Sequence, residues 1–223
     1  MGCNTEPTSP PQTPQQAVIK AIEERGQVLK LNEAGQFAVI FKNGLVTSSE
    51  MRLVTQLDGV PIFVFLNAGC ADADQVRLNE RPGLRIFHFV LGEISDSGLE
   101  HLKTLRNLTE LVVHCEQVTD AGLEQLKSLT SLTELNLTNT PVTDAGLEQL
   151  KDLTDLVTLD LRNTQVTDAG LKHLKGMTSL TRLRLSGTQI EWVADIPERV
   201  STRPEAMQLL KNSVFCSTVQ LTG

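Results

Sequence analysis

The residues best suited to chemistry in this chain are two histidines and a small charged set. His88 and His114, with Glu110 nearby, supply imidazole and carboxylate, the donor types of a zinc site. If they lie on neighbouring strands, as the repeat below implies, their diagonal separation is about 7 to 8 Å. No spacing motif fixes a third ligand, so no metal is assigned. Asp160 and Arg184 stand 24 residues apart, with Arg162 and Arg182 close by in the chain. Two readings stay open for this group: an ion pair across adjacent strands on a solvated face, or a polar recognition patch.

Catalysis is not written in the sequence. There is no GxSxG elbow, no phosphate-cradling glycine loop and no HExxH. We therefore expect no enzyme, no catalytic residue and no cofactor. Gly122, Gly146 and Gly170 belong to a recurring TDAGL and read as points of close packing where adjacent helices begin. Cys3, Cys70, Cys115 and Cys216 are scattered without paired spacing or a CxxC, and Cys70 shares a column with the apolar Val118.

The elements that would position these residues come from one 24-residue unit written four times. Residues 118–141 read VTDAGLEQLKSLTSLTELNLTNTP, and 142–165 and 166–189 repeat them closely, while 94–117 form a looser copy. In the second half of a unit, Leu132, Leu135 and Leu137 give LxxLxL, whose last two leucines alternate with polar residues as a half-buried strand does. In the first half, Leu123, Leu126 and Leu129 recur every three residues, as on one face of a helix. Thr119 fits an N-cap, with Val118 and Leu123 as its hydrophobic staple, and Thr143 and Thr167 repeat the device. Parallel strands stack about 4.8 Å apart, whereas helices need about twice that spacing. The stack must curve, with strands inside.

The pattern LxxLxLxxTxVTDAGLxxLxxL resembles the bacterial leucine-rich repeat proteins abundant in planctomycete-type genomes. It is also similar to the repeats of F-box substrate adaptors and, more distantly, of ribonuclease inhibitor. The resemblance implies an α/β fold: a right-handed, curved leucine-rich repeat solenoid with a parallel concave sheet and convex helices, capped at both ends. It also implies that Thr140, Thr164 and Thr188 replace an asparagine that bonds neighbouring loop backbone, and their hydroxyls are expected to serve the same purpose. Glu116 and Gly92 depart from that column, so the ladder is expected to weaken there. For function the resemblance implies only a binding surface.

Around these units the chain of 223 residues divides into a disordered tether (1–13), a helix-hairpin cap with a first strand (14–45), repeats (46–189) and a C-terminal cap (190–223). Stepping back by 24 places Met51, Val54, Leu57, Val60, Phe63 and Phe65 in register with the later leucines, and Leu78, Leu84, Phe87 and Phe89 one unit on. Strand centres are expected near residues 40, 64, 88, 112, 136, 160 and 184. Trp192 is expected to plug the open end of the core. Gly2-Cys3 and its polar tether resemble the cut end of a bacterial lipoprotein, so Cys3 is a candidate lipidation site. That would put the protein in the cell envelope, attached to the membrane through Cys3 alone; without lipid it is expected in the cytoplasm.

The side chains between the core positions should face the concave surface. Early strands present Ala38, Ile40, Ile62, Val64, Leu66, Ile86, His88 and Val90, then Val112 and His114. Later ones present Glu110, Glu134, Asn136, Asp160, Arg162, Arg182 and Arg184. An apolar patch of this kind marks a docking site for a partner, a second copy or the chain's own tail. The net charge of −7 argues against a nucleic-acid partner. The first reading is therefore a non-enzymatic scaffold that binds a polypeptide on its concave sheet. Alternatives are a cell-envelope lipoprotein acting as a structural or adhesive spacer, and a substrate adaptor of a ubiquitin-type system, although an F-box segment is lacking.

Overall fold

Leucine alternating with polar residues makes one face of each strand apolar, and the 24-residue period brings every such strand beside its predecessor. A computed structural model describes residues 19–20, 23–24, 28–31, 37–47, 49, 51–52, 61–70, 83–91 and 94–190. The tether with Cys3, the hairpin turn, Val54, Leu57, Val60, Leu78, Gly92, Cys216 and the segment from Trp192 onward lie outside the described residues, as does the Cys70 side chain.

Eight strands form one sheet in chain order. β1 (Val28–Leu31) pairs antiparallel with β2 (Phe37–Val46). Every later neighbour is parallel: β3 (Ile62–Cys70), β4 (Ile86–Val90), β5 (Glu110–His114), β6 (Glu134–Asn136), β7 (Thr158–Asp160) and β8 (Arg182–Arg184). The register never slips. Ile40, Val64, His88, Val112, Asn136, Asp160 and Arg184 stand in one row across the sheet, each 24 residues from the last. These strands include the positions expected from the repeat.

The core runs along the other face. Leu111, Leu135 and Leu159 succeed Phe63 and Phe87 in one column, and all are fully or almost fully buried. At the N-terminal end, phenylalanines take the place of leucines: Phe65 stacks between Phe41 and Phe89, with ring centroids 4.7 and 4.6 Å away. Offset aromatic stacking of this kind adds about 0.5–1.5 kcal/mol per pair beyond burial. Met51 and Leu84 are buried with them, in the register read from the sequence.

The convex side is shorter in helix than the leucine spacing suggested. α1 (Asp96–Glu100), α2 (Asp120–Leu123) and α3 (Asp144–Gln149) last about one turn or little more. α1 and α2 tighten into 3-10 segments at His101–Thr104 and Glu124–Ser128, and the last repeat has a 3-10 segment at Gly170–Gly176. The reason is in the spacing. Leu123, Leu126 and Leu129 recur every three residues, and three per turn is the 3-10 period, so tightening keeps all of them on the buried face.

Thr119 and Thr143 are the N-caps of α2 and α3, and Thr167 makes the same bond ahead of the turn that leads into Gly170–Gly176; each hydroxyl accepts from the backbone N–H two residues on, at 3.2–3.3 Å. The same threonines also tie each repeat to the previous one. Asp96 Oδ1 accepts Thr119 N–H at 2.8 Å, while its Oδ2 accepts the Thr119 hydroxyl at 2.6 Å. Asp120 holds Thr143 and Asp144 holds Thr167 with the same two distances. This explains the glycine of TDAGL. A Cβ on Gly122, Gly146 or Gly170 would sit 2.2–2.3 Å from that aspartate's Oδ1, so the glycine allows close packing against the start of the preceding helix, whose first residue is that aspartate.

The Thr140 column also differs from expectation. Thr140, Thr164 and Thr188 donate to Leu137, Leu161 and Leu185 carbonyls at 2.7 Å, three residues back in their own repeat, not to the neighbouring loop. A hydroxyl on a short stem reaches its own turn but not the next.

The clamp can be tested by a double-mutant cycle at Asp144 and Gly170. Asp144→Ala should cost about 1–3 kcal/mol in urea unfolding, because Thr167 loses its acceptor. Gly170→Ala should cost a comparable amount by displacing that carboxylate. Together they should cost less than the sum by at least about 0.5 kcal/mol. Strict additivity would show that the carboxylate is not what keeps residue 170 a glycine.

Candidate interaction surface

Three columns of side chains stand on the concave face, because every second residue of a strand points away from the leucine core. Ala38 and Ile62 are buried, and Ile40, Val64, Leu66, Ile86, Val90 and Val112 are half-buried, so each of the six is partly open to water and none is fully exposed. The apolar block expected from the sequence is therefore present at β2–β5, but partly shielded. Glu134 and Arg182 are exposed, and Asn136, Arg162 and Arg184 are half-buried. Thr138, Thr158 and Ser186 complete the columns, although they were not singled out in the sequence.

The two histidines do not converge. His88 Nε2 lies 2.7 Å from Glu110 Oε1, one strand along and one step down the column. That hydrogen bond holds the Glu110 carboxyl below the usual carboxylate range, against burial, which pushes it up. His114 turns the other way, where Asn139 Nδ2 donates to its Nε2. Asn163 Nδ2 in turn donates to Asn139 Oδ1 at 2.7 Å, so the three form a short polar ladder between repeats. Among the described residues no three His, Cys, Asp or Glu side chains gather as a metal site would require.

The pair expected across the ladder is present and has a third member. Arg184 Nη1 donates to Asp160 Oδ2 at 3.1 Å, and Arg162 grips the same carboxylate through Nε and Nη2, with contacts of 2.7–3.1 Å. Arg162 backbone N–H adds a further bond to Oδ1 at 3.2 Å. Asp160 is only 1% exposed and is thus a support under the two guanidinium groups, not a contact for a partner. Burial pushes its carboxyl up, but the bonds from Arg162 and Arg184 outweigh that and hold it below its ordinary value.

A feature the sequence reading missed lies beside the face, where the chain leaves the strands. Asn43, Leu91, Asn139 and Asn163 have φ of 51–59°, and Gly187 has 75°. Asparagine and glycine tolerate that left-handed turn, and their 24-residue recurrence was the available signal. Leucine tolerates it poorly, yet Leu91 takes it and is 65% exposed. It borders a groove of about 830 Å³ lined also by His114, Gln117, Asn139, Asn163 and Gly187.

The depressed Asp160 carboxyl sets a pH dependence. A carboxyl whose folded pKa lies below its unfolded value contributes stability that is present above the unfolded value, about 3.9, and lost as pH falls through the folded one. Asp160→Asn should therefore cost about 1–3 kcal/mol near neutral pH. The gap from the parent should shrink as the pH falls below about 4. Urea midpoints for both chains at neutral and acid pH would measure it, and a gap that stays constant would contradict the role given to the carboxylate.

Comparison with known proteins gives a consistent architecture. Residues 130–190 match the leucine-rich repeat family. No curated protein matches the chain. Among solved structures, an internalin (InlF) of Listeria monocytogenes superposes with a TM-score of 0.55 at 24% identity, over 67% of this chain and 42% of the internalin. Internalin C2 of the same organism gives 0.58 at 18% identity, over 82% of this chain and 80% of its own. The ectodomain of the Arabidopsis receptor kinase HAESA, solved in complex with an IDA peptide hormone ligand, gives 0.51 at 16% identity. The match covers 66% of this chain but only 29% of HAESA's. With its single parallel ladder, 24-residue register and leucine core, the protein is a leucine-rich repeat solenoid.

Proposed function

We propose that this solenoid is a non-enzymatic scaffold that binds a polypeptide partner on its concave sheet. The observation that carries the reading is the composition of the inward columns: one runs Ile62, Ile86, Glu110, Glu134, Thr158 and Arg182, and the other two pass from aliphatic side chains at β3 to an arginine at or after β7, along a sheet whose backbone geometry repeats unchanged. Stability of the stack does not require that sequence of side chains, since the leucine core lies on the opposite face. A half-buried apolar block next to polar and charged groups is the usual make-up of a recognition surface. The complex of the HAESA ectodomain with a peptide hormone supports the reading by fold alone. Leu91, exposed in an unfavourable backbone conformation at the end of the face, would extend the surface.

The test uses the purified full chain and a displayed library of random peptides. Val112 is half-buried at the centre of the face, and Val112→Lys should weaken the selected peptides at least about tenfold, or 1.4 kcal/mol. Glu148→Lys, on α3 at the convex side, should leave their binding unchanged. Equal effects of the two substitutions would remove the concave face as the binding surface.

A further inference from the structure

The charges on the concave face are arranged in blocks. Glu110 and Glu134 stand directly opposite each other on β5 and β6, a placement that costs stability because like charges are adjacent. Glu134 is exposed, and no described residue supplies it with a cation. Two strands further on, Arg162 and Arg184 share one carboxylate, Asp160, while Arg182 Nη1 lies 3.5 Å from Thr158 Oγ1, so three arginines stand against one acid at β7–β8. Arg162 commits Nε and Nη2 to Asp160 and Arg184 commits Nη1, which leaves other guanidinium N–H groups to donate. On the opposite side of the acidic block, β3–β4 offer half-buried Val64, Ile86 and Val90.

The spacing of the blocks selects a ligand conformation. Parallel strands lie about 4.8 Å apart, so the centres of the apolar, acidic and basic blocks follow one another at two strand spacings, about 10 Å. A β-extended ligand lying across the strands returns to the same face every second residue, after about 6.6 Å, and falls out of step. A polyproline II segment returns every third residue, after about 9.3 Å, and stays in step.

We propose that the concave face recognises a polyproline II segment presenting an apolar, a basic and an acidic side chain three residues apart to β3–β4, β5–β6 and β7–β8. This rests on the concave-face reading above and adds to it the order and spacing of the partner's side chains. Exposed Glu134, with half-buried Glu110 opposite it and bonded to His88, is then the binding site for the central cation.

The probes are fluorescein-labelled proline-rich peptides carrying Leu, Lys and Asp at every third position. One pair has Lys central, in both chain directions; a second pair has Asp central. Fluorescence anisotropy with the full chain should show a Lys-central peptide binding at least about tenfold tighter than either Asp-central peptide, with the difference falling at high salt. Glu134 and Arg182 are both exposed, so a Glu134→Lys/Arg182→Glu chain should stay folded, with a Tm at or above the parent's because the Glu110–Glu134 repulsion is gone, and reverse the preference. No discrimination by the parent chain, or no reversal in the exchanged chain, would overturn the proposal. If library-selected peptides still lose affinity with Val112→Lys while the designed probes fail, the charge order falls and the concave surface stands. If Val112→Lys has no effect on the selected peptides, the surface itself falls.

Discussion

Each repeat of this protein has an unfinished edge, and everything else depends on the next repeat completing it. A single 24-residue unit cannot bury Leu135 or Leu137 by itself, nor satisfy the N–H and C=O groups along its strand. Stacking solves both problems only if the units keep one register, because a shift by one residue would turn every leucine outward. On the sheet side the register is held by the continuous parallel ladder from β2 to β8. On the convex side it is held by aspartate, whose two oxygens grip the backbone and hydroxyl of the following repeat's threonine. Two independent locks at opposite edges of each unit leave no freedom to slide.

That division has a consequence for the inner face. Since the leucine core and the Asp–Thr clamp fix the geometry, the side chains pointing away from the core are free to differ from strand to strand. They do differ: one row runs Ile40, Val64, His88, Val112, Asn136, Asp160 and Arg184, with no two neighbours alike. Some of this variety is internally compensated, as where Asp160 neutralises part of Arg162 and Arg184, or where His88 meets Glu110. Glu134, opposite Glu110 and exposed, is not, and no described residue pairs with it.

The fold was largely legible because its determinants are periodic. Leucines at fixed offsets named the strands, the core column and even the degenerate units around Phe63 and Phe87, where phenylalanine fills the leucine position. What escaped was chemistry between repeats. Asp120 carries no role in the sequence pattern, yet it reaches 23 residues forward to Thr143. Thr140 lies in the column of an asparagine ladder, but a threonine hydroxyl is too short to cross to the next loop, and that link passes instead to Asn139 and Asn163. The inner surface was legible as a set of columns, since alternation fixes which residues face inward. Which of them remain available was not, because burial of Asp160 depends on how two long arginines fold over it.

Comparison of the repeats within the chain separates structural from recognitional positions without reference to any other protein. In the four similar copies from residue 94 to 189, Asp96, Asp120, Asp144 and Asp168 occupy one column, and Gly98, Gly122, Gly146 and Gly170 another; one unit earlier, Asp74 stands in the glycine column. Each identity follows from a contact between successive copies, so copying the unit copies the residue. The inward column Ile62, Ile86, Glu110, Glu134, Thr158 and Arg182 sits on the same backbone, at the same period, and passes from apolar to acidic to neutral polar to basic. Burial does not order that change, since Ile62 and Thr158 are buried, Ile86 and Glu110 half-buried, and Glu134 and Arg182 exposed. The stack leaves these positions free to differ, and the proposed bound chain, which would meet each strand at a different residue, is one use of that freedom.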